Sequence, residues 1–164
     1  DRGLFELFEN HPIDAFRNDQ SLLNEAITRA IRVKADVVER DERESGERRK
    51  LNLGHTFAHA IEKCGNEFLH GEAVAIGTVM IARLSAHLGT ATQDEADRVR
   101  RVFERMGLPI RTEIDFKRLV KALKHDKKKE ADSVSFVLLR GIGDCEIRRF
   151  TFDEIDRLPD PAAE

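Results

Sequence analysis

Three of the chain's six histidines, His55, His59 and His70, fall within 16 residues. His55 and His59 are four apart, so on a helix they project from one face about a turn from each other. Imidazole is the commonest protein ligand for zinc, and a catalytic zinc takes three protein ligands while keeping a position open for substrate or water. Thr56, not glutamate, follows His55, so the His-Glu-x-x-His pattern of metalloproteases is absent and a protease or hydrolase would lack its general base. On spacing alone, a metal site competes with ordinary core or surface histidines. Gly54 and Gly71, beside His55 and His70, would let backbone or ligand approach closely, although helix-start geometry explains either one alone. Lys34, Arg48 and Asn52 suggest a cationic pocket beside the metal, because Arg pairs bidentately with carboxylate or phosphate and Lys supplies a point charge. Each also has a plainer role: a lysine snorkelling to solvent, an arginine in a charge run, an asparagine at a helix N-cap.

The elements that must hold these residues are mostly helical. Leu22, Leu23, Ala26, Ile27, Ala30, Ile31 and Val38 recur at helical spacing and predict a helix from Ser21 to about Glu42 with one buried stripe. Residues 39–50 are almost wholly charged and, on pattern alone, form a solvated turn. A helix from about Leu53 to Lys63 carries His55 and His59, and His70 heads the next, which ends at Gly89, where a left-handed cap is expected. That second helix is apolar nearly all round and should be the central buried one. Thr92-Gln-Asp-Glu95 and Thr151 to Glu154 are capping boxes, Gly107 and Pro109 close the first of the two helices they open, and another helix starts at Asp115 and runs to His125. Val134 to Leu139 and Glu146 to Phe150 then read as strands joined by Arg140-Gly-Ile-Gly-Asp144, a hairpin. The predicted fold is mainly α, a helical bundle with one small β-hairpin near the C-terminus, in a single domain over residues 1–164.

Composition narrows the function classes. With 40% hydrophobic and 36% charged residues the chain can bury a core under a heavily charged surface, which excludes intrinsic disorder. A net charge of -3 gives no footprint for nucleic acid or an anionic membrane. The longest apolar stretch, Ala73 to Ala82, is too short to span a bilayer. Cys64 and Cys145 form no disulfide framework and lack zinc-ribbon spacing, so a reducing cytoplasm is the default.

The residues around the histidines form a longer pattern. Lys34, Asp41, Glu42, Glu44, Gly46, Arg48, Leu51, Asn52, Gly54, His55, Thr56, His59, Ala60 and Glu62 together resemble the signature of the 3-dehydroquinate synthases, and His70-Gly-Glu-Ala-Val-Ala-Ile-Gly77 resembles its second block. Asp126-Lys127-Lys128, the strand from Val134 to Leu139, and Gly141-Ile-Gly143 are similar to the family's closing segment. The resemblance implies the C-terminal helical domain of a two-domain enzyme whose active site lies against an N-terminal NAD-binding α/β domain. The implied reaction converts 3-deoxy-D-arabino-heptulosonate 7-phosphate, a sugar phosphate, to 3-dehydroquinate with loss of phosphate, by transient oxidation, elimination, reduction and ring closure. The implied cofactors are Zn2+ or Co2+ and NAD, the latter held mainly by the N-terminal domain. Carried over, His55 and His70 are metal ligands, and Lys34, Arg48, Asn52, His59 and Lys127 contact the substrate's carboxylate, hydroxyls or phosphate. The family also implies a homodimer of the complete enzyme.

Two departures qualify the match. Ala58 stands where the family usually has glycine between the two histidines, adding a methyl group near His59. No glycine-rich strand-to-helix turn occurs, and the family's third metal ligand, a glutamate, would precede Asp1, so the expectation is a fragment that alone binds zinc weakly and has no synthase activity. The rival readings are another sugar-phosphate cyclase, of the 2-deoxy-scyllo-inosose or 2-epi-5-epi-valiolone synthase type, and a non-catalytic helical module with a relict metal site.

Overall fold

The computed structural model describes residues 1–43, 46–127 and 132–162, the side chains of Asp126 and Lys127 excepted. Asp1 opens the first helix by accepting from the Leu4 amide at 2.6 Å, and α1 (Arg2–Asn10) and α2 (Ile13–Asn18) follow. Asp19 caps α3 (Gln20–Arg40) through the Ser21 and Leu22 amides. A 3-10 helix spans Glu47–Asn52 and leads into α4 (His55–Cys64) and α5 (His70–His87). Then come α6 (Gln93–Arg105), α7 (Phe116–Lys127), strands β1 (Ser133–Leu139) and β2 (Cys145–Thr151), and the short α8 (Phe152–Asp156). The fold is mainly α with one antiparallel hairpin, its register running from Ser133 opposite Thr151 to Leu139 opposite Cys145.

The centre is α5, as its all-round apolar sequence predicts: Ala73 and the run from Ala75 to Ala82 are buried, with Leu84 and Ser85. One side of α5 packs into a cluster built from Phe57, Ile61, Leu119, Phe136, Leu138 and Ile155, and the other faces Val99, Leu139 and Ile142. Phe136 links the layers, its ring 5.3 Å from that of Phe57 and 5.6 Å from that of Phe150. Each such fully buried side chain contributes about 1.5–3 kcal/mol relative to exposure. Ser85, a polar residue in this core, is satisfied on both sides. Its hydroxyl donates to the Ile81 carbonyl at 2.7 Å and accepts from the Leu139 amide at 2.9 Å, which ties the hairpin to α5.

The stripe expected on α3 is only partly buried. Ala26 and Val37 are covered, but Ile27 is 48% and Ile31 63% exposed. The helix meets α1, α2 and the 3-10 turn, and these contacts leave both isoleucines exposed.

Both capping boxes form, and one of them reaches further than its own helix. The Glu95 carboxylate accepts from the Thr92 amide at 2.9 Å and, across 47 residues, from the Ile142 amide at 3.3 Å in the hairpin turn. These bonds, the Thr92 amide first, hold its pKa below the ordinary glutamate value. Glu9 is likewise held low by the Arg98 guanidinium, which grips both of its oxygens at 2.8 Å and joins α1 to α6. A carboxylate with a lowered folded-state pKa contributes stability that is complete above its unfolded value and is lost as pH falls through the folded one. Glu95→Gln is therefore expected to cost about 1 kcal/mol near neutrality and to flatten the acid limb of stability, measured as the urea midpoint across an acid-to-neutral pH series.

Candidate functional site

His55 starts α4 because Gly54 stops the chain from entering the helix earlier. Gly54 has φ +81°, a left-handed conformation that glycine adopts without steric cost. The helix expected from Leu53 thus begins two residues later. Gly54 lies against α5: a Cβ there would stand 2.3 Å from Thr78 Oγ1 and 2.7 Å from the Thr78 amide nitrogen. From the other side, a Cβ on Gly77 would stand 2.2 Å from the Gly54 carbonyl oxygen. The two glycines let the first turn of α4 seat directly on the backbone of α5. Gly71 has no such neighbour: nothing lies within 4 Å of its Cβ position, so no backbone approaches there.

That seating brings three imidazoles together. The ring centroids of His55 and His70 are 5.6 Å apart, those of His55 and His59 5.9 Å, and those of His59 and His70 6.4 Å. His59 and His70 are exposed and His55 is half-buried, so the cluster opens outward. Nδ1 of His55 lies 3.3 Å from the Leu53 carbonyl oxygen, and Nδ1 of His70 lies 2.8 Å from Glu62 Oε1. Two histidines on one tetrahedral zinc with Zn–N of about 2.0–2.1 Å place their ring centres roughly 5.2 Å apart, and the His55–His70 pair comes nearest to that spacing. Among the described residues no group of three or more His, Cys, Asp or Glu side chains is arranged to hold a metal ion by itself. The donor set therefore fits two ligands of a site rather than a closed one.

The charged run before α4 is not a free turn. The buried Asp41 carboxylate accepts from the Gly46 amide at 2.8 Å and the Arg48 amide at 3.0 Å, folding the chain back into the 3-10 helix. Arg48 in turn donates to the Glu42 carbonyl at 2.9 Å, and Arg40 grips Glu47 through two bonds at 2.9 and 3.0 Å. Asn52 ends this 3-10 helix and is exposed; it is not the N-cap of α4, which is Gly54. Asp41→Ala is expected to lower stability by about 1–3 kcal/mol, since two amides lose a charged acceptor, as read by urea denaturation. Lys34 is exposed on α3. The side chain of Lys127 lies outside the described residues. Ala58 is fully buried in the main core, so its methyl group packs into the α4 interface with its neighbours.

Glu62 was not singled out by the reading of the sequence as a site residue, yet it touches the cluster. Its signal was its position: His55, His59 and Glu62 are at i, i+4 and i+7, one face of a helix. Two cavities lie away from the histidines, one of about 960 Å³ between α5, α6 and the segment near Pro159 and one of about 460 Å³ beside Asp1 and Arg29. No helix among the described residues is long and apolar enough to cross a membrane.

Comparison with known proteins agrees with this layout. The 3-dehydroquinate synthase C-terminal family matches residues 1–129. The 3-dehydroquinate synthase of Nitrosomonas europaea is 44% identical over 146 residues, and that of Pseudomonas fluorescens 46% over 155 residues. These alignments cover 87% and 90% of this chain but 40% and 41% of the relatives, so the chain spans about two fifths of their length. Among solved structures, a 2-epi-5-epi-valiolone synthase from Streptomyces hygroscopicus, with NAD+ and Zn2+ bound, superposes with a TM-score of 0.79 at 28% identity, over 94% of this chain and 44% of that one. A 2-deoxy-scyllo-inosose synthase shares the fold with a TM-score of 0.67 at 21% identity, over 85% of this chain and 39% of that one. The histidine-bearing helices, the hairpin packed beside them and a family match over most of the sequence lead to one conclusion: the chain belongs to the 3-dehydroquinate synthase C-terminal domain family.

Proposed function

We propose that this chain is the metal- and substrate-binding part of a 3-dehydroquinate synthase, acting with an N-terminal NAD-binding domain to convert 3-deoxy-D-arabino-heptulosonate 7-phosphate to 3-dehydroquinate and phosphate. The observation that carries the reading is the pairing of His55 with His70: both rings have Nδ1 at an oxygen acceptor and close to the separation two ligands of one metal require. In this reading His55 and His70 hold Zn2+ or Co2+. When bound, the metal supplies Lewis acidity at the substrate hydroxyls and NAD a temporary hydride acceptor.

The remaining residues position and neutralise. His59, on the same face of α4 as His55, is in this reading the residue that holds a substrate hydroxyl or phosphate oxygen. Asp41 holds the Arg48 backbone amide and the Glu42 carbonyl accepts from its guanidinium, and in this reading that guanidinium pairs with the substrate carboxylate. Lys34, Asn52 and Lys127 complete the anion-binding set. The reaction is a carbon–oxygen lyase step followed by ring closure, in a cytoplasmic, homodimeric enzyme.

The structural likeness to a 2-epi-5-epi-valiolone synthase favours a second reading, a cyclase for a neutral sugar phosphate. Arg48→Ala separates the two. In the complete polypeptide it should lower kcat/KM for the carboxylate-bearing heptulosonate phosphate by roughly 10- to 100-fold, the worth of a charged hydrogen bond, and leave a neutral sugar phosphate unaffected. Phosphate release measured on both substrates decides it: equal use before and after the change removes the dehydroquinate assignment.

A further inference from the structure

Metal binding by a histidine depends on which nitrogen carries the proton, and here the structure specifies it twice. A carbonyl or an ionised carboxylate can only accept a hydrogen bond, so the contacts at Nδ1 of His55 and His70 each require an Nδ1–H. In a neutral ring that leaves the Nε2 lone pair free. The two contacts differ in kind. The partner of His55 is the backbone at Leu53, set by the turn into α4, whereas the partner of His70 is a side chain from a different helix, eight residues earlier. His70 is exposed and heads α5, whose start is fixed separately by the Glu72 carboxylate on the Leu69 amide at 2.8 Å. Glu72 places the start of the helix that His70 heads, and Glu62 holds its ring.

We propose that Glu62 is a positioning residue that locks His70 in the Nδ1–H tautomer and aims its Nε2 at the metal shared with His55. The consequence for metal binding rests on the reading of His55 and His70 as ligands; the tautomer does not. Losing a carboxylate that orients a ligating imidazole typically weakens metal affinity by roughly 10- to 100-fold.

The test uses the 164-residue chain, labelled with 15N and free of metal, in buffer alkaline enough that imidazoles are neutral. Long-range 1H–15N correlations, with His70 assigned by His70→Ala, report the tautomer. His70 is expected to be protonated at Nδ1 in the parent and in Glu62→Gln, whose amide oxygen still accepts, and to shift toward Nε2–H in Glu62→Ala. Co2+ titration followed by visible absorption should then show affinity lowered by roughly 10- to 100-fold in Glu62→Ala and largely restored in Glu62→Gln, with circular dichroism unchanged in both. An Nε2–H ring in the parent overturns the proposal, as does a Glu62→Gln that keeps the tautomer yet loses Co2+ as completely as Glu62→Ala, which would make Glu62 itself a ligand. If His55→Ala and His70→Ala bind Co2+ as the parent does, the metal reading fails instead, while the tautomer result still decides what Glu62 does.

Discussion

Replacing His55 by alanine in the complete polypeptide is expected to reduce phosphate release from the heptulosonate phosphate by about a thousandfold or more and to leave the purified enzyme with little bound metal. The reasoning starts from the count of ligands. Catalytic zinc takes three protein ligands, and on the proposed function His55 and His70, whose rings lie 5.6 Å apart, are this chain's share. Removing one leaves an underfilled site. The Lewis-acid contribution lost with the metal is several kcal/mol, and about 4 kcal/mol corresponds to a thousandfold in rate. His59→Ala should behave differently. It is exposed and stands farther from His70 than His55 does, so metal content should persist while turnover falls. Metal analysis and phosphate release on both variants separate the roles. A His55→Ala enzyme that retains stoichiometric metal removes His55 from the ligand set.

What the sequence makes legible here is whatever depends on neighbours along the chain. The apolar circumference of α5, the Thr92 and Thr151 capping boxes and the left-handed cap at Gly89 all have local causes, and all form. The fold class and the family followed from these and from the two signature blocks. Less legible were features that need a partner distant in sequence. The 3-10 turn at Glu47–Asn52 is held by the buried Asp41, which accepts from the amides of Arg48 and of the capping Gly46; a charge count along residues 39–50 carries no trace of that. Ser85 is one small polar residue in an apolar helix, and its hydroxyl anchors β1 54 residues away. Ile27 and Ile31 fit the helical period of α3 but remain exposed, since period marks a face without saying what covers it. At the site, spacing placed His55 and His59 on one face, but the contact of Glu62 with His70 depends on the turn between α4 and α5, which no periodicity fixes. Of the two glycines read as points of close approach, Gly54 meets the backbone of α5 and Gly71 meets no backbone, while the partner of Gly54 in that contact, Gly77, carries no local signal because close approach is a property of helix packing.

Gly77→Ala is accordingly expected to be among the most damaging single methyl additions to this chain, lowering stability by about 1–3 kcal/mol and, at roughly 2–4 °C per kcal/mol for a domain of this size, depressing Tm by several degrees. The added carbon would lie 2.2 Å from the Gly54 carbonyl oxygen and 3.0 Å from the Ala58 amide nitrogen. Even a weak C–H···O contact needs about 3.3 Å, so α4 must retreat from α5 by roughly 1 Å. Both obstructing atoms are backbone, joined by the first hydrogen bond of α4 at 3.0 Å, and cannot rotate aside as a side chain could. Gly54→Ala meets Thr78 from the opposite direction and adds the cost of a left-handed conformation, about 1–2 kcal/mol. Because the two glycines serve one contact, the double variant should cost less than the sum of the singles. Gly71→Ala, with open space around it, should be neutral or stabilising by up to about 1 kcal/mol. Thermal unfolding of the four variants tests the packing, and Co2+ titration tests its link to the site: a retreat of α4 carries His55 away from His70, so the affinity should fall in Gly77→Ala and stay unchanged in Gly71→Ala. If Gly77→Ala melts with the parent, α4 is not seated on α5 as described, and the 5.6 Å spacing of the two rings loses its structural cause.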